Sequence, residues 1–388
     1  MNIDLIRQDT VGCSDKIFLN NAGSSLMPKI VVDTIVGYLL EEQQSSGYIT
    51  ADRNSESIHQ FYEVAARFIN AHPRNMAFTT GSTDGYAKAL SSISFKEGDC
   101  IITTNDDYVS NQMAFISLQK KVNIKIIRMK NLPDHTLDLE DCERLIKAHR
   151  PKLIAVTHIP TNSGLIQNVE GVGKLCKQYG ILYLVDACQS VGQMMVDVGK
   201  IGCDFLTATG RKFMRGPRGT GFLYVSDNAL EQNLAPLFLD MSDATWTDFN
   251  DYEMGKTARR FEIWERSNAS LLGFKEALKY AGAIGLPYIE DYNRKLAERL
   301  RAGLQHNGFT ALDKGSRLSS IVTFCDQSGR IETIQKILKE NEIYFSISNK
   351  SNALIDFTLK NVDRAIRLSP HYFNTPEEIE KVLDVLAE

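Results

Sequence analysis

Lys212 lies in the stretch LTATGRKFMRGPRGTGFLYV, shortly after an apolar run that ends at Asp186 in LYLVDACQSVG. A lysine in a glycine-rich turn between strand-like runs offers an amine for a Schiff base. An Asp at a strand end offers a fixed negative charge for a protonated ring nitrogen. That pair suits pyridoxal phosphate (PLP), and hence an enzyme of amino acids. Each residue has an ordinary alternative: Asp186 as a cap of the following turn, Lys212 as an exposed loop lysine. The neighbours favour chemistry. Thr209 and Arg211 bring a hydroxyl and a guanidinium suited to phosphate. GPRGTG lets backbone approach a ligand, and the charge of Arg211 favours a lowered lysine pKa. Gln189, a little past Asp186, carries an amide able to donate to the O3′ oxygen of such a ring.

Two more segments fit the same ligand. TTGSTDGYAKAL places Gly81, Ser82 and Thr83 at a helix start after a strand. Free N–H groups and the helix dipole make an anion site there; an ordinary N-cap is the competing explanation. Tyr108, just past the strand-like DCIITTN, suits either stacking on a flat ring or packing in a core.

The elements that must position these residues alternate along the chain. VVDTIVGYLLEEQQ and SIHQFYEVAARFINAH recur at helical spacing. Strand–helix pairs follow: NMAFTT with GSTDGYAKALSSI, DCIITTN with YVSNQMAFISLQKK, NIKIIRMK with DLEDCERLIKAH, and KLIAVTHIP with VEGVGKLCKQYG, which Gly180 ends. ILYLVDA, DFLTATG and GTGFLYV complete the set. Such alternation predicts an α/β fold, with a mostly parallel sheet covered by helices on both faces and ligand-binding loops at its strand ends. Past residue 225 the texture becomes irregular. A helix pair, the strands SSIVTFC, IYFSIS, ALIDFTL and AIRLSP, and a last helix TPEEIEKVLDVLAE then predict a smaller α+β domain. The expected division is a large domain over 15–258 and a small one from 1–14 and 259–388.

The bulk properties bound the partners. The chain has 388 residues, 43% of them hydrophobic, enough for a large core. A net charge of −4 without a basic block argues against nucleic acid and membrane surfaces. No apolar run reaches the length of a membrane span, and MNIDLIRQDT lacks the apolar region of a signal peptide. The seven cysteines are scattered, with no metal-ligand spacing, which fits a reducing cytoplasm.

Taken in order, these segments resemble the class V, fold-type I PLP-dependent enzymes, the superfamily of cysteine desulfurases, kynureninase and isopenicillin N epimerase. The likeness runs from FLNNAG at 18–23 nearly to the C-terminus. It implies the fold-type I transferase architecture, with Ser82 and Thr83 at the cofactor phosphate and Tyr108 at the ring-stacking position. Thr161 or Asn162, in THIPTNSG, is implied near O3′. VDACQSVG and TGRK imply Asp186, Gln189 and Lys212 at the ring, with Thr209 and Arg211 beside the phosphate. RLSPHYFNTPEE implies Arg367 as the clamp for a substrate α-carboxylate, a task suited to a planar guanidinium, and FLNNAG implies Asn21 near the same substrate. The family also implies a homodimer.

Departures from the family pattern shape the expected reaction. FSISNKSNALIDF holds no cysteine where desulfurases carry their sulfur acceptor. RRFEIWERSN has Glu265 where the family sends a Thr to the partner's phosphate, leaving Arg259 or Arg260 for that contact. RRFEIWE looks more like the branch with the C–S lyase of ergothioneine biosynthesis and the isopenicillin N epimerase-like proteins. The expected activity is therefore a β-eliminating C–S lyase of a cysteine-derived amino acid, with Lys212 as the α-proton base. Epimerisation, racemisation or transamination is the alternative, and a desulfurase using its own persulfide cysteine is set aside. A non-catalytic binding module and a plain nucleotide-binding α/β protein rank lower. Side-chain preference is expected from the loops SSGYITADRN and 226–258, where Tyr48, Arg53 and Trp246 are candidates for a pocket, with packing as the ordinary alternative for Tyr and Trp.

Overall fold

Fully apolar strand runs need cover on both faces, and the chain supplies it by winding helices around one sheet. In the computed structural model, residues 2–326 and 329–387 are described. The ends of the expected domain ranges, residues 1 and 388, lie outside these. α1 (Ile3–Gln8) and β1 (Ile17–Phe18) lead into α2 (Lys29–Ser45), α3 (Gly47–Arg53) and α4 (Ser55–Phe68). β2 (Met76–Thr79), α5 (Ser82–Ser91), β3 (Cys100–Thr103), α6 (Val109–Val122), β4 (Lys125–Arg128) and α7 (Leu139–His149) follow. Next come β5 (Leu153–Thr157), α8 (Val169–Tyr179), β6 (Leu182–Asp186), α9 (Val198–Ile201), β7 (Phe205–Thr209) and β8 (Gly221–Val225). Gly180 ends α8 in the left-handed conformation, as its type suggests.

These strands form a seven-stranded sheet in the order β2-β8-β7-β6-β5-β3-β4. Its neighbours are parallel except at β8, which runs antiparallel to both β2 and β7. Two apolar clusters pack on its faces, one around Phe61, Ile154, Val185 and Phe274, the other around Tyr86, Phe115, Leu184 and Phe205.

α10 (Asp227–Glu231) precedes an exposed hairpin of β9 (Ala244–Asp248) and β10 (Asp251–Met254). α11 (Asn268–Ile284) and α12 (Leu286–His306) lead to β11 (Thr310–Ala311), β12 (Val322–Cys325), α13 (Ile331–Glu340), β13 (Ile343–Tyr344) and β14 (Ser346–Asn349). α14 (Leu354–Leu359), β15 (Arg364–Leu368) and α15 (Pro376–Ala387) complete the chain. An antiparallel sheet, β11-β12-β15-β14, packs on α12, α13 and α15 around Leu300, Phe324, Leu338 and Val382.

Three sequence expectations differ from this arrangement. The boundary expected at 258 splits α11 from the core it joins, since Ala269, Leu271 and Phe274 pack in the large-sheet cluster beside α2 and α4. ALIDFTL, read as a strand, is α14: Phe357 turns into a small apolar cluster, Lys360 pairs with Asp356 one helical turn away, and Leu354 and Leu359 face solvent. SSGYITADRN, read as a loop, contains α3.

Candidate active site

The strands of the large sheet end at one cavity of about 330 Å³, where an α/β sheet places its ligands. Thr157 ends β5, Asp186 ends β6 and Thr209 ends β7, and all three line the cavity. The start of α5 closes one side with Gly81, Ser82 and Thr83, and no side chain caps that helix. Its first-turn N–H groups are therefore available to an anion. Ser82 donates its hydroxyl to Thr207 Oγ1 at 2.7 Å, and Thr209 donates to the Thr220 carbonyl at 3.3 Å. Arg211 also lines the cavity and donates to the Gly23 carbonyl.

Lys212 is only 7% exposed. Burial holds its amine below the ordinary lysine range. Arg211 and Arg367 reinforce this, while Cys188 and Asp186 oppose it. Its Nζ lies 5.8 Å from the Tyr108 ring centroid. The loop that carries it is clamped from several directions. Ser25 N–H donates to the Arg211 carbonyl at 2.7 Å, and His371 Nε2 lies 2.8 Å from the Phe213 carbonyl. Arg215, fully buried with φ of 59°, donates to the Leu26 carbonyl and stacks on Tyr372 and Phe373. Gly192 of DACQSVG has φ of 95°, and a Cβ there would stand 2.5 Å from the Met214 nitrogen. That glycine lets two backbones touch directly behind the lysine.

Asp186 accepts from Asn111 Nδ2 at 3.0 Å through Oδ2 and from the Cys188 N–H at 3.0 Å through Oδ1. Thr161 lines the cavity; Asn162 is buried and is not among the lining residues. Gln189 lines it too, with both amide hydrogens occupied by the Ala22 carbonyl and Thr161 Oγ1, at 3.1 and 2.9 Å. Its Oε1 is buried and unpartnered among the described residues, so the free capacity of this side chain is an acceptor, where sequence expected a donor. Arg367, on β15, donates to Thr161 Oγ1 at 2.6 Å and to Asn20 Oδ1 at 3.4 Å. Burial, with Arg211 adding, brings its pKa down to about 10, which leaves it a cation at neutral pH. Its Nε has no partner, and no carboxylate pairs with it among the described residues. Asn21 is placed differently from expectation. Its amide is fully buried between Ser369 and Ser25, and the neighbouring Asn20 makes the contact with Arg367.

Tyr48 and Trp246 are highly exposed, Arg53 bonds Ser45, and none of the three lines the cavity. Arg260 is buried on the Leu230 carbonyl, Arg259 lies 5.3 Å over the Tyr62 ring, and Glu265 borders a separate surface groove. Sequence reasoning missed Cys188, Asn111, Thr157, Asp84 and Arg218. Cys188 stands inside the quoted DACQ motif, but the scatter of the seven cysteines gives it no distinguishing spacing. Burial, with the Asp186 charge adding, pushes its thiol up to about 12.

The residues present fit PLP. An uncapped helix start suits its phosphate, a buried carboxylate suits its ring nitrogen, and a lysine amine faces an aromatic ring across the space between. The buried, unpartnered Gln189 Oε1 and Arg367 Nε mark polar positions that a bound group completes.

Fold and site together define a PLP-dependent enzyme of fold type I. The model of the aminotransferase class-V family matches residues 17–382, and the chain belongs to that family. A probable cysteine desulfurase of Pyrococcus abyssi is 32% identical over 397 residues, covering 99% of this chain and 96% of its own length. A second, from Methanothermobacter thermautotrophicus, is 27% identical, covering 100% of this chain and 98% of the relative. The apo structure of a cysteine desulfurase from Thermococcus onnurineus NA1 superposes with a TM-score of 0.92 at 27% identity, covering 100% of this chain and 98% of its own. These relatives overturn the expectation of a β-eliminating lyase, its epimerase and aminotransferase alternatives, and the setting aside of desulfurase activity. That expectation rested on two short segments, the cysteine missing from FSISNKSNALIDF and the departure at RRFEIWERSN, against a likeness that spans 99% of the chain.

Proposed function

We propose that this protein removes sulfur from cysteine, releasing alanine and passing the sulfur to a thiol as a persulfide. What carries the reading is a buried cation without a carboxylate partner among the described residues, Arg367, bonded to Thr161 of the cavity that holds Lys212, within a chain alike over 99% of its length to a protein named a probable cysteine desulfurase. In this reading Arg367 holds the α-carboxylate of cysteine and fixes the Cα–H toward the Lys212 amine. Burial lowers the basicity of Lys212, which favours the neutral amine that takes the Cα proton and returns one. Asp186 holds the ring nitrogen, Tyr108 covers the ring face, and the start of α5 holds the phosphate. Bound there, PLP supplies an electron sink for the pair left at Cα. The acceptor thiol attacks the substrate sulfur and the C–S bond breaks. The sulfur leaves as R–S–SH, and the carbon skeleton gains a proton to become alanine.

The test is product identity. Purified holoenzyme with cysteine and excess dithiothreitol is expected to give alanine and sulfide in equal amounts. Pyruvate and ammonia in place of alanine would refute the reading. The same reading includes a cytoplasmic homodimer. Free cysteines throughout the described residues suit a reducing compartment. Phe238, Trp246 and Phe249 stand out on and beside the β9–β10 hairpin, Phe249 at 89% exposure, as an apolar patch suited to a second copy. Light scattering at the expected dimer mass tests that part. Among the described residues, no helix is long and apolar enough to cross a membrane.

A further inference from the structure

Directly behind Asp186 sits a second buried carboxylate that the reaction above does not use. Asp107 lies between β3 and α6 and is 6% exposed. Its Oδ2 accepts from Thr103 Oγ1 at 2.5 Å and from Gln112 Nε2 at 3.3 Å. Its Oδ1 accepts from Thr157 Oγ1, and from the Tyr108 N–H at 3.3 Å. Thr157 is the register partner of Asp186 on the neighbouring strand. Asn111, in the first turn of α6, donates to Asp186 Oδ2 at 3.0 Å, and its N–H donates to the Tyr108 carbonyl at 2.9 Å, so the turn that Asp107 braces reaches the ring-nitrogen anchor. One side chain thus ties together the ends of β3 and β5, the first turn of α6, and the aromatic residue that faces Lys212.

We propose that Asp107 is a positioning residue of the cofactor site: it fixes Asp186 and Tyr108 relative to one another through Asn111, Thr157 and its own backbone, and lends a second negative charge to the ring-nitrogen anchor. Among the described residues no cation touches it. Arg128 reaches it only through Gln112, to whose Oε1 it donates at 2.7 Å. The other ionisable groups around it are Asp186 from β6, Asp106 beside it in the chain, and buried Tyr86 from α5. Burial, with the Asp186 charge adding, pushes the carboxyl up to about 6, while bonds from Thr103 and Thr157 hold it down. Two adjacent buried anions are costly without a cation, and a cationic ring nitrogen at Asp186 is the charge that this pair lacks.

The test compares Asp107→Asn, close in shape but without the charge, with the unaltered protein. Two quantities are read: the PLP dissociation constant, from fluorescence quenching of the apoprotein, and the pH midpoint of the near-visible absorbance of the Lys212-linked cofactor. A negative charge nearby stabilises the protonated form of that linkage. Its removal is expected to lower the midpoint and to weaken PLP binding about tenfold, as outer partners of a bound group commonly do. A folded D107N protein with unchanged affinity and midpoint overturns the proposal. If D107N does not fold, Thr103→Val decides. It keeps both charges and Asn111's bond to Asp186 and removes a bond that holds Asp107, so weakened PLP binding supports the proposal and unchanged affinity overturns it. Neither readout depends on which substrate the enzyme takes, so a failed desulfurase assay leaves this test standing.

Discussion

Replacing Arg367 with leucine probes the substrate-binding part of the proposed function most directly. Arg367 is 7% exposed, so its desolvation is already met on folding, and the same burial brings its pKa down to about 10. An arriving carboxylate therefore meets a cation that has little water to give up. Two charge-assisted hydrogen bonds to that carboxylate, at roughly 1.5–3 kcal/mol each, amount to about 3–5 kcal/mol, after allowance for non-additivity. At about 1.4 kcal/mol per factor of ten, R367L is expected to lose roughly 10²-fold to a few thousand-fold in kcat/KM for cysteine. The fold should survive, because the substitution removes a buried charge along with its bonds to Thr161 and Asn20. The assay is sulfide release from cysteine and from cysteamine, which lacks the carboxylate. The unaltered enzyme should prefer cysteine by about the factor that R367L loses, and R367L should treat the two nearly alike. A variant that keeps its preference for cysteine would refute the assignment of the carboxylate to Arg367.

Lys212→Ala should bind PLP without a colour that borohydride can fix, and lose roughly 10³-fold or more of turnover; retained turnover would remove the lysine from the proton transfers. Gly192→Ala forces a Cβ to within 2.5 Å of the Met214 nitrogen at a φ of 95°. It should cost about 2–4 kcal/mol in urea unfolding and weaken PLP retention, and an unchanged unfolding midpoint would show that the lysine loop yields freely. His158 is buried with its Nδ1 unpartnered, and burial brings its pKa down to about 4 from 6.5. The unfolded chain binds that proton first, so stability from this residue is full above pH 6.5 and falls as pH drops toward 4. Between neutral pH and pH 4.5, His158→Leu should lose about 2.5 kcal/mol less stability than the unaltered protein. Parallel loss in both proteins, measured by urea titration at the two pH values, would contradict the burial argument.

What sequence reveals here follows from where each residue's constraint originates. Lys212, Asp186 and the start of α5 were legible because strand ends, glycines and helix starts leave local marks in the chain. Arg367 was legible only through likeness to a family, since nothing near AIRLSP announces a partner 200 residues away at Thr161. Asn111 and Asp107 matter because α6 lies against the ends of β5 and β6, a proximity that the stretch NDDYVSN does not encode by itself. Asn20 and Asn21 are equivalent as letters. Only the pairing of Asn20 with Ser369 in an isolated bridge decides which side chain faces Arg367. α14 was misread because IDFTL alternates like a strand, whereas the turn-spaced Asp356–Lys360 pair and a single inward Phe357 suit a helix. The function was misread for a different reason: an absent cysteine in one segment says little when the rest of the chain agrees.

β8 is the last strand of its sheet in the chain, yet it lies between β2 and β7. The helix start that follows β2 and the lysine that precedes β8 therefore meet only when β8 slots into place. On the ribosome, the emerging polypeptide has no complete cofactor site until residue 225 and its neighbours have cleared the exit tunnel. Colour would then arise as a late event of synthesis, and fragments ending before that point should stay colourless even when vitamin B6 is abundant.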